Sequence, residues 1–246
     1  MIDIHSHILP WTDDGAENMY ESLDMIISAY EGGTEIMAAT PHVNIPGMYD
    51  NYYDQEYVDK YKMLKDALKE EHIDVKIVPG MEVFVTEDLP KLIEDGKVIT
   101  LNKTKYMLLE FDFDEDPDFT FHMLDKVMQM KIRPVIAHAE RYRFIQNEPE
   151  ILKKWKEKSV IVQMNKDSFT GGFGTRAMDT ALKALDDNTV SVIASDAHGA
   201  KRRTSPMDRV RYELSANYDP EYLKVLFEEN PKRILSNRPV LVRRSV

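Results

Sequence analysis

The sequence predicts an α/β protein in which about seven strand and helix units close into an irregular parallel barrel. Three observations predict it. Seven short runs rich in β-branched or apolar residues recur along the 246 residues. Most are continuously apolar, as expected when both faces of a parallel strand are covered, and helical spacing of apolar residues fills the intervals between them. A chain of this length with 43% hydrophobic residues can build a full core, so one domain spanning 1–246 is expected.

The first run, Ile2 to Ile4, leads directly into His5 and His7. Side chains two apart on a strand point the same way, so both imidazoles can grip one ion. Met19, Leu23, Ile26, Ile27 and Tyr30 then share a helical face that stops at Gly32-Gly33. Glu35 to Ala39 is the second strand and ends in Ala-Thr-Pro-His42. Four tyrosines between Tyr49 and Tyr57 mark a loop into a helix carrying Tyr57, Tyr61, Leu64 and Leu68; packing and substrate contact are both open for them. Val75 to Val78 is the third strand and runs into Pro-Gly-Met-Glu82, and Tyr106 to Leu109 is the fourth, ending at Glu110. A helix bearing Leu124, Val127 and Met128 precedes the fifth strand, Pro134 to Ala137, which ends at His138. Val160 to Met164 is the sixth, followed by a flexible Gly171 to Gly174 loop near the barrel mouth. After a helix with Met178, Ala181, Leu182 and Leu185 comes the seventh, Val190 to Ala194, then Ser-Asp196-Ala-His198. No dinucleotide fingerprint, repeat or linker interrupts this order, and Arg243-Arg244 reads as a frayed tail.

Composition narrows the function. A formal net charge of -11 argues against a nucleic-acid partner and against anionic lipid. The chain has no cysteine, which fits a reducing cytoplasm and excludes disulfides, thiolate metal sites and a cysteine nucleophile. Neither a leader nor a run of membrane-spanning length is visible, so a cytoplasmic location without membrane insertion is expected.

In a parallel barrel the carboxyl ends of the strands converge on one mouth. Five of the seven histidines, His5, His7, His42, His138 and His198, sit at such ends together with Glu82, Glu110 and Asp196. The other two, His72 and His122, fall in helical segments and are expected to be surface groups. Imidazoles and carboxylates crowded together would repel and dehydrate without cations between them, so a metal centre is expected. Donors of this mixture without sulfur suit manganese, iron or zinc. They are too many for one ion, and a carboxylate such as Glu82 can bridge two ions about 3.5 to 4 Å apart, the arrangement used for hydrolysis. Arg141 and Arg143 follow His138, and Lys201, Arg202 and Arg203 follow His198; guanidinium forks match phosphate oxygens, which makes phosphate ester hydrolysis the leading reaction.

Taken together, His-x-His, Asp-Asp-Gly-Ala, Ala-Thr-Pro-His, Pro-Gly-x-Glu, Glu110, Ala-His-Ala-Glu-Arg-Tyr and Ala-Ser-Asp-Ala-His resemble the polymerase-and-histidinol-phosphatase (PHP) superfamily. More narrowly the chain is similar to the bacterial manganese-dependent tyrosine-protein phosphatases of the CpsB/CapC type. The resemblance implies a distorted seven-stranded (β/α)7 TIM-like barrel, a single PHP-type metallophosphatase domain and two or three divalent ions, with manganese first. By position, His5, His7, His42, Glu82, Glu110, His138, Asp196 and His198 match metal ligands, and Arg141 and Arg203 match phosphate-contacting arginines. Asp14 matches an acid near the site, as ligand or proton donor. Asp13, Asp14 and Glu17 compete for that role, preferred in the order Asp14, Glu17, Asp13, with Glu17 the further candidate ligand. Ala139 stands where relatives often carry proline, a change expected only to relax the loop. The implied substrate is a phosphotyrosine protein, namely a bacterial tyrosine kinase controlling capsular or exopolysaccharide synthesis. The alternatives are a histidinol-phosphatase-like phosphomonoesterase, a nuclease, which the charge disfavours, and a metal-binding regulatory module without catalysis.

Overall fold

A computed structural model of the protein describes residues 1–242, so the Arg243-Arg244 pair lies outside the described residues. Each of the seven runs overlaps a strand, yet the strands among the described residues number nine. They are β1 (Ile2–Ser6), β2 (Ile36–Ala39), β3 (His42–Val43), β4 (Lys76–Pro79), β5 (Glu82–Phe84), β6 (Tyr106–Glu110), β7 (Arg133–Ile136), β8 (Ile161–Asn165) and β9 (Val192–Ala194). Past the second and third runs the chain breaks at Thr40-Pro41 and at Gly80-Met81, and a further strand, β3 or β5, follows each break. Pro41 lacks a ladder donor, and a side chain at Gly80 would come within 2.9 Å of Leu101 and 3.0 Å of Thr40.

All strand pairs are parallel, in a three-stranded order β1-β2-β4 and a six-stranded order β3-β5-β6-β7-β8-β9. The single seven-stranded ladder expected from the sequence is therefore not what the hydrogen bonds draw. The first and last strands meet where Asp196 N–H donates to the His5 carbonyl at 2.9 Å and His7 N–H to that of Ala197 at 2.8 Å. These bonds curl the sheet back on itself.

Helices cover its outside. In α1 (Met19–Glu31) the Asn18 side chain accepts from Glu21 N–H, and the buried positions are Ser22, Met25, Ile26 and Ala29. The expected face is thus displaced: Ile27 is 38% and Tyr30 49% exposed, while the small Ser22 and Ala29 are buried. Asp54 caps α2 (Gln55–Glu70), which buries Tyr57, Leu64 and Leu68 as the spacing predicts. Further along come α3 (Leu89–Glu94), α4 (Pro117–Gln129), α5 (Arg143–Asn147), α6 (Ile151–Glu157), α7 (Thr175–Asp186), α8 (Asp208–Leu214), α9 (Pro220–Lys224) and α10 (Asn230–Leu235). One core lies between strands and helices. A second joins Ile4, Ala38, Val78, Leu108, Val135, Ile161 and Val192 to Ile234 and Leu235 of α10. Leu108 pairs with Glu82, and Glu110 lies two residues beyond it, so strand alternation sets both carboxylates on that same inner face. None of the described helices is long and apolar enough to cross a membrane.

Candidate metal centre

The strand ends do bring the donors together. His5 Nε2 lies 3.1 Å from Glu82 Oε2 and 3.3 Å from Asp196 Oδ1, and His7 Nε2 lies 3.2 Å and 3.4 Å from the same two atoms. On the next side, His42 Nδ1 is 3.0 Å from Glu82 Oε2 and 3.4 Å from Glu110 Oε2. His138 Nε2 approaches Glu82 Oε1 at 2.9 Å and Glu110 Oε1 at 3.4 Å. At the mouth, Asp14 Oδ1 stands 3.6 Å from both His42 Nε2 and His198 Nε2. Three ligand groups result: His5, His7, Glu82 and Asp196; His42, Glu82 and Glu110; and His7, Asp14, His42 and His198. His7, His42 and Glu82 each belong to two of them, and Glu82, facing His5, His7, His42 and His138, is the hub; His138 joins none of the three groups and reaches the centre through Glu82 and Glu110.

Their chemistry fits divalent cations. His42 Nδ1, Glu82 Oε2, Asp196 Oδ1 and His198 Nε2 are buried without a hydrogen-bond partner, and the Nε2 atoms of His5 and His7 face each other at 3.2 Å. Lone pairs converging without donors are costly unless an ion takes them. Burial opposes charge on every group here, but the histidines outweigh it at Glu82 and Asp196, holding both carboxyls well below the usual range. His138 is pushed the other way, up to about 9, because hydrogen bonds to Glu110 and Glu82 outweigh its desolvation. His198 falls to about 2, because burial and the His7 imidazole beside it oppose a charge there.

Other residues hold these in place. Gln163 Oε1 accepts from His5 Nδ1 at 3.0 Å and from His138 N–H at 2.9 Å. Its amide donates to Asn165 at 3.0 Å, and Asn165 Nδ2 donates to Asp196 Oδ2 at 2.6 Å. Asp13 Oδ2 bonds His7 Nδ1 at 2.6 Å; burial would raise this carboxyl, but His7 brings it down to about 2. The bonds to His5 Nδ1 and His7 Nδ1 leave the Nε2 of each ring facing Glu82 and Asp196. Left-handed backbone occurs at His138 (φ 33°), Asp196 (φ 51°) and Arg203 (φ 47°), non-glycine strain of the kind that clusters at functional sites.

Of the five cations flagged by the sequence, two reach the centre. Arg141 Nη1 is 3.5 Å and Arg203 Nη2 2.5 Å from Asp196 Oδ2. Arg143 pairs instead with exposed Asp114, and Lys201 and Arg202 are exposed. His72 and His122 are exposed and away from the cluster, as expected. Glu17 is a correction: it is exposed and joins none of the ligand groups. The chain turns back at Ala16, whose N–H bonds the His7 carbonyl, so the next residue, just before the α1 cap Asn18, already faces outward. Gly15 presses on His7 so closely that a Cβ would lie 2.2 Å from its carbonyl oxygen, which tucks Asp13 under the ring and leaves Asp14 half-exposed above it. Gln163 and Asn165 were missed. Two polar residues spaced two apart in an otherwise apolar buried strand were the available signal.

A curled parallel α/β sheet with imidazole and carboxylate donors at its strand ends defines the class of α/β metal-dependent hydrolases. Residues 1–236 match the family model described as "Capsular polysaccharide synthesis, CpsB/CapC", and the chain belongs to that family. It is 33% identical over 242 residues to tyrosine-protein phosphatase YwqE of Bacillus subtilis (strain 168), covering 98% of this chain and 93% of that protein. Tyrosine-protein phosphatase CpsB of Streptococcus pneumoniae is 28% identical over 243 residues, covering 97% and 99%. A solved structure from work on YwqE of B. subtilis and CpsB of S. pneumoniae, described as unique metal-dependent tyrosine phosphatases, superposes with a TM-score of 0.91. It is 32% identical and covers 99% of this chain and 97% of its own. The family expected from the motifs is thus the one found.

Proposed function

We propose that this chain is a metal-dependent protein-tyrosine phosphatase that acts in the cytoplasm on a phosphotyrosine protein, a bacterial tyrosine kinase controlling capsular or exopolysaccharide synthesis. The observation that carries the proposal is the convergence of eight strand-end donors, with two guanidinium groups, Arg141 and Arg203, paired to one of them, Asp196. We read the nine strands as a distorted (β/α)7 barrel in which two strands are each broken once. His5, His7, His42, Glu82, Glu110, His138, Asp196 and His198, joined by Asp14, would hold two or three divalent ions, manganese first and iron or zinc next. Such ions supply Lewis acidity and a more acidic water.

The chain's own residues do the remainder. Arg141 and Arg203 present forks to the phosphoryl oxygens and stabilise charge on them as the ester bond breaks. Asp14, the one candidate acid that is half-exposed at the mouth, would either ligate an ion or, left unligated, hold a proton near the leaving oxygen. A tyrosine leaving group, with a pKa of about 10, needs that proton less than an alkyl alcohol does. With no cysteine in the chain, a thiolate phosphoenzyme is excluded.

A metal-defined assay on phosphotyrosine peptide, phosphoserine peptide and histidinol phosphate tests the reading. Phosphotyrosine should be hydrolysed fastest, chelation should abolish turnover and manganese should restore it. Full activity after exhaustive metal removal refutes the metal assignment, and preference for histidinol phosphate assigns a small-molecule phosphatase instead.

A further inference from the structure

The loop after β8 carries an aromatic residue that the reaction as described above does not use. Residues Gly171, Gly172, Phe173 and Gly174 follow the turn at Lys166–Thr170, with left-handed backbone at Gly171 (φ 81°) and Gly174 (φ 89°). These conformations are open to glycine and strained for other residues, so the loop can place a bulky ring where an ordinary turn could not. Phe173 uses that freedom to lie against both arginines at once. The Arg141 guanidinium carbon is 4.4 Å from the centre of the Phe173 ring, and that of Arg203 is 5.6 Å from it. Phe113, on the loop after β6, adds a second ring 4.6 Å from Arg141.

Two guanidinium groups side by side repel each other, and Asp196 alone does not fix their planes. Asp196 Oδ2 is shared among Arg203, Arg141 and Asn165 Nδ2. A ring face attracts a cation and, being flat, also sets its tilt. Phe173 is the one ring among the described contacts that touches both arginines.

We infer that Phe173 is a positioning residue that holds the forks of Arg141 and Arg203 in the orientation that receives a phosphoryl group. This rests on the proposed phosphatase reading, in which those arginines contact phosphate. Phe173 acts on anion recognition: its described ring contacts are to the two arginines and none is to a metal-donor histidine.

The test compares wild type with Phe173→Ala, Phe173→Leu and Phe173→Tyr as manganese-loaded proteins. Orthovanadate inhibition, kcat and KM on a phosphotyrosine peptide, and manganese affinity by calorimetry are read in parallel. Phe173→Leu keeps apolar bulk without a ring face, and Phe173→Tyr keeps the ring. The expected result is about a tenfold weaker vanadate inhibition and a comparable rise in KM for the alanine and leucine variants. Manganese affinity should be unchanged, and the tyrosine variant should recover wild-type behaviour. A leucine variant that binds vanadate as tightly as wild type overturns the inference, and so does a parallel loss of manganese affinity, which would mark a merely structural role. If wild type itself fails to hydrolyse phosphotyrosine, the phosphatase reading is what falls; vanadate affinity still reports separately on the arginine forks.

Discussion

Replacing Asp13 with asparagine probes the support beneath the proposed metal centre. Asp13 Oδ2 accepts from His7 Nδ1 at 2.6 Å and from His42 backbone N–H at 2.8 Å, while Oδ1 accepts from Gly15 N–H at 3.0 Å. Since His7 Nε2 is the atom facing Glu82 and Asp196, the ring proton must stay on Nδ1, and the Asp13 carboxylate is what keeps it there. Asparagine has one acceptor oxygen in place of two, so at least one of three buried donors meets an N–H instead. A hydrogen bond to a charged group contributes about 1.5–3 kcal/mol, and removing the partner of a ligating histidine costs about 10–100-fold in metal affinity. The expected outcome of Asp13→Asn is therefore a manganese dissociation constant raised by about 10–100-fold, measured by competition against a chelator of known affinity, with circular dichroism to verify the fold. Unchanged affinity in a folded variant refutes the idea that Asp13 sets the tautomer of a ligand.

Two other outcomes separate neighbouring assignments. Asp14→Asn should weaken manganese binding measurably in the same competition assay, whereas Glu17→Gln should leave it unchanged, because only Asp14 stands 3.6 Å from His42 and His198. In the alkaline range, burial pushes the Tyr61 hydroxyl up to about 12, while an unfolded tyrosine ionises near 10. The unfolded chain loses its proton first, so stability is intact below pH about 10 and falls as the pH rises toward 12. Tyr61→Phe should flatten that fall in urea midpoints. At neutral pH the same variant should lose about 1 kcal/mol with the bond from Tyr61 to the Ile77 carbonyl.

What was legible in the sequence follows from which features are local. Continuous apolar runs marked every strand segment's neighbourhood, because parallel strands covered on both faces select such residues whatever their partners. Periodicity placed α2 well but mis-set the face of α1. Counting large apolar residues overlooked Ser22 and Ala29, which are buried, and single exposed apolar groups such as Ile27 cost little. At the site, eight donors were legible because charged and imidazole side chains at strand ends have no cheap structural explanation. Gln163 and Asn165 carry no charge and so raise no such alarm, although they fix His5 and Asp196. The ranking of Asp13, Asp14 and Glu17 could not be read from spacing, since it depends on how tightly Gly15 closes against His7.

The breaks that spoil the expected seven-stranded ladder are also what build the centre. His42 and Glu82 open β3 and β5, which follow the two breaks, and they pair with each other side by side on these neighbouring strands. An uninterrupted strand would keep strict alternation through this point, whereas the kink at Thr40-Pro41 and the close approach at Gly80 let the chain resume in a new direction. The backbone groups freed there are recovered locally. Thr40 N–H donates to the Ser6 carbonyl at 2.9 Å, and Glu82 N–H donates to that of Pro41 at 3.1 Å. The Tyr57 hydroxyl donates to the Gly80 carbonyl at 3.0 Å and accepts from Gly80 N–H at 3.2 Å. With its polar backbone satisfied, the break is inexpensive, and it sets Glu82 within 2.9–3.2 Å of His5, His7, His42 and His138 at once. Tyr57 therefore acts on the site from the far side of the sheet, through the peptide two residues before the hub carboxylate.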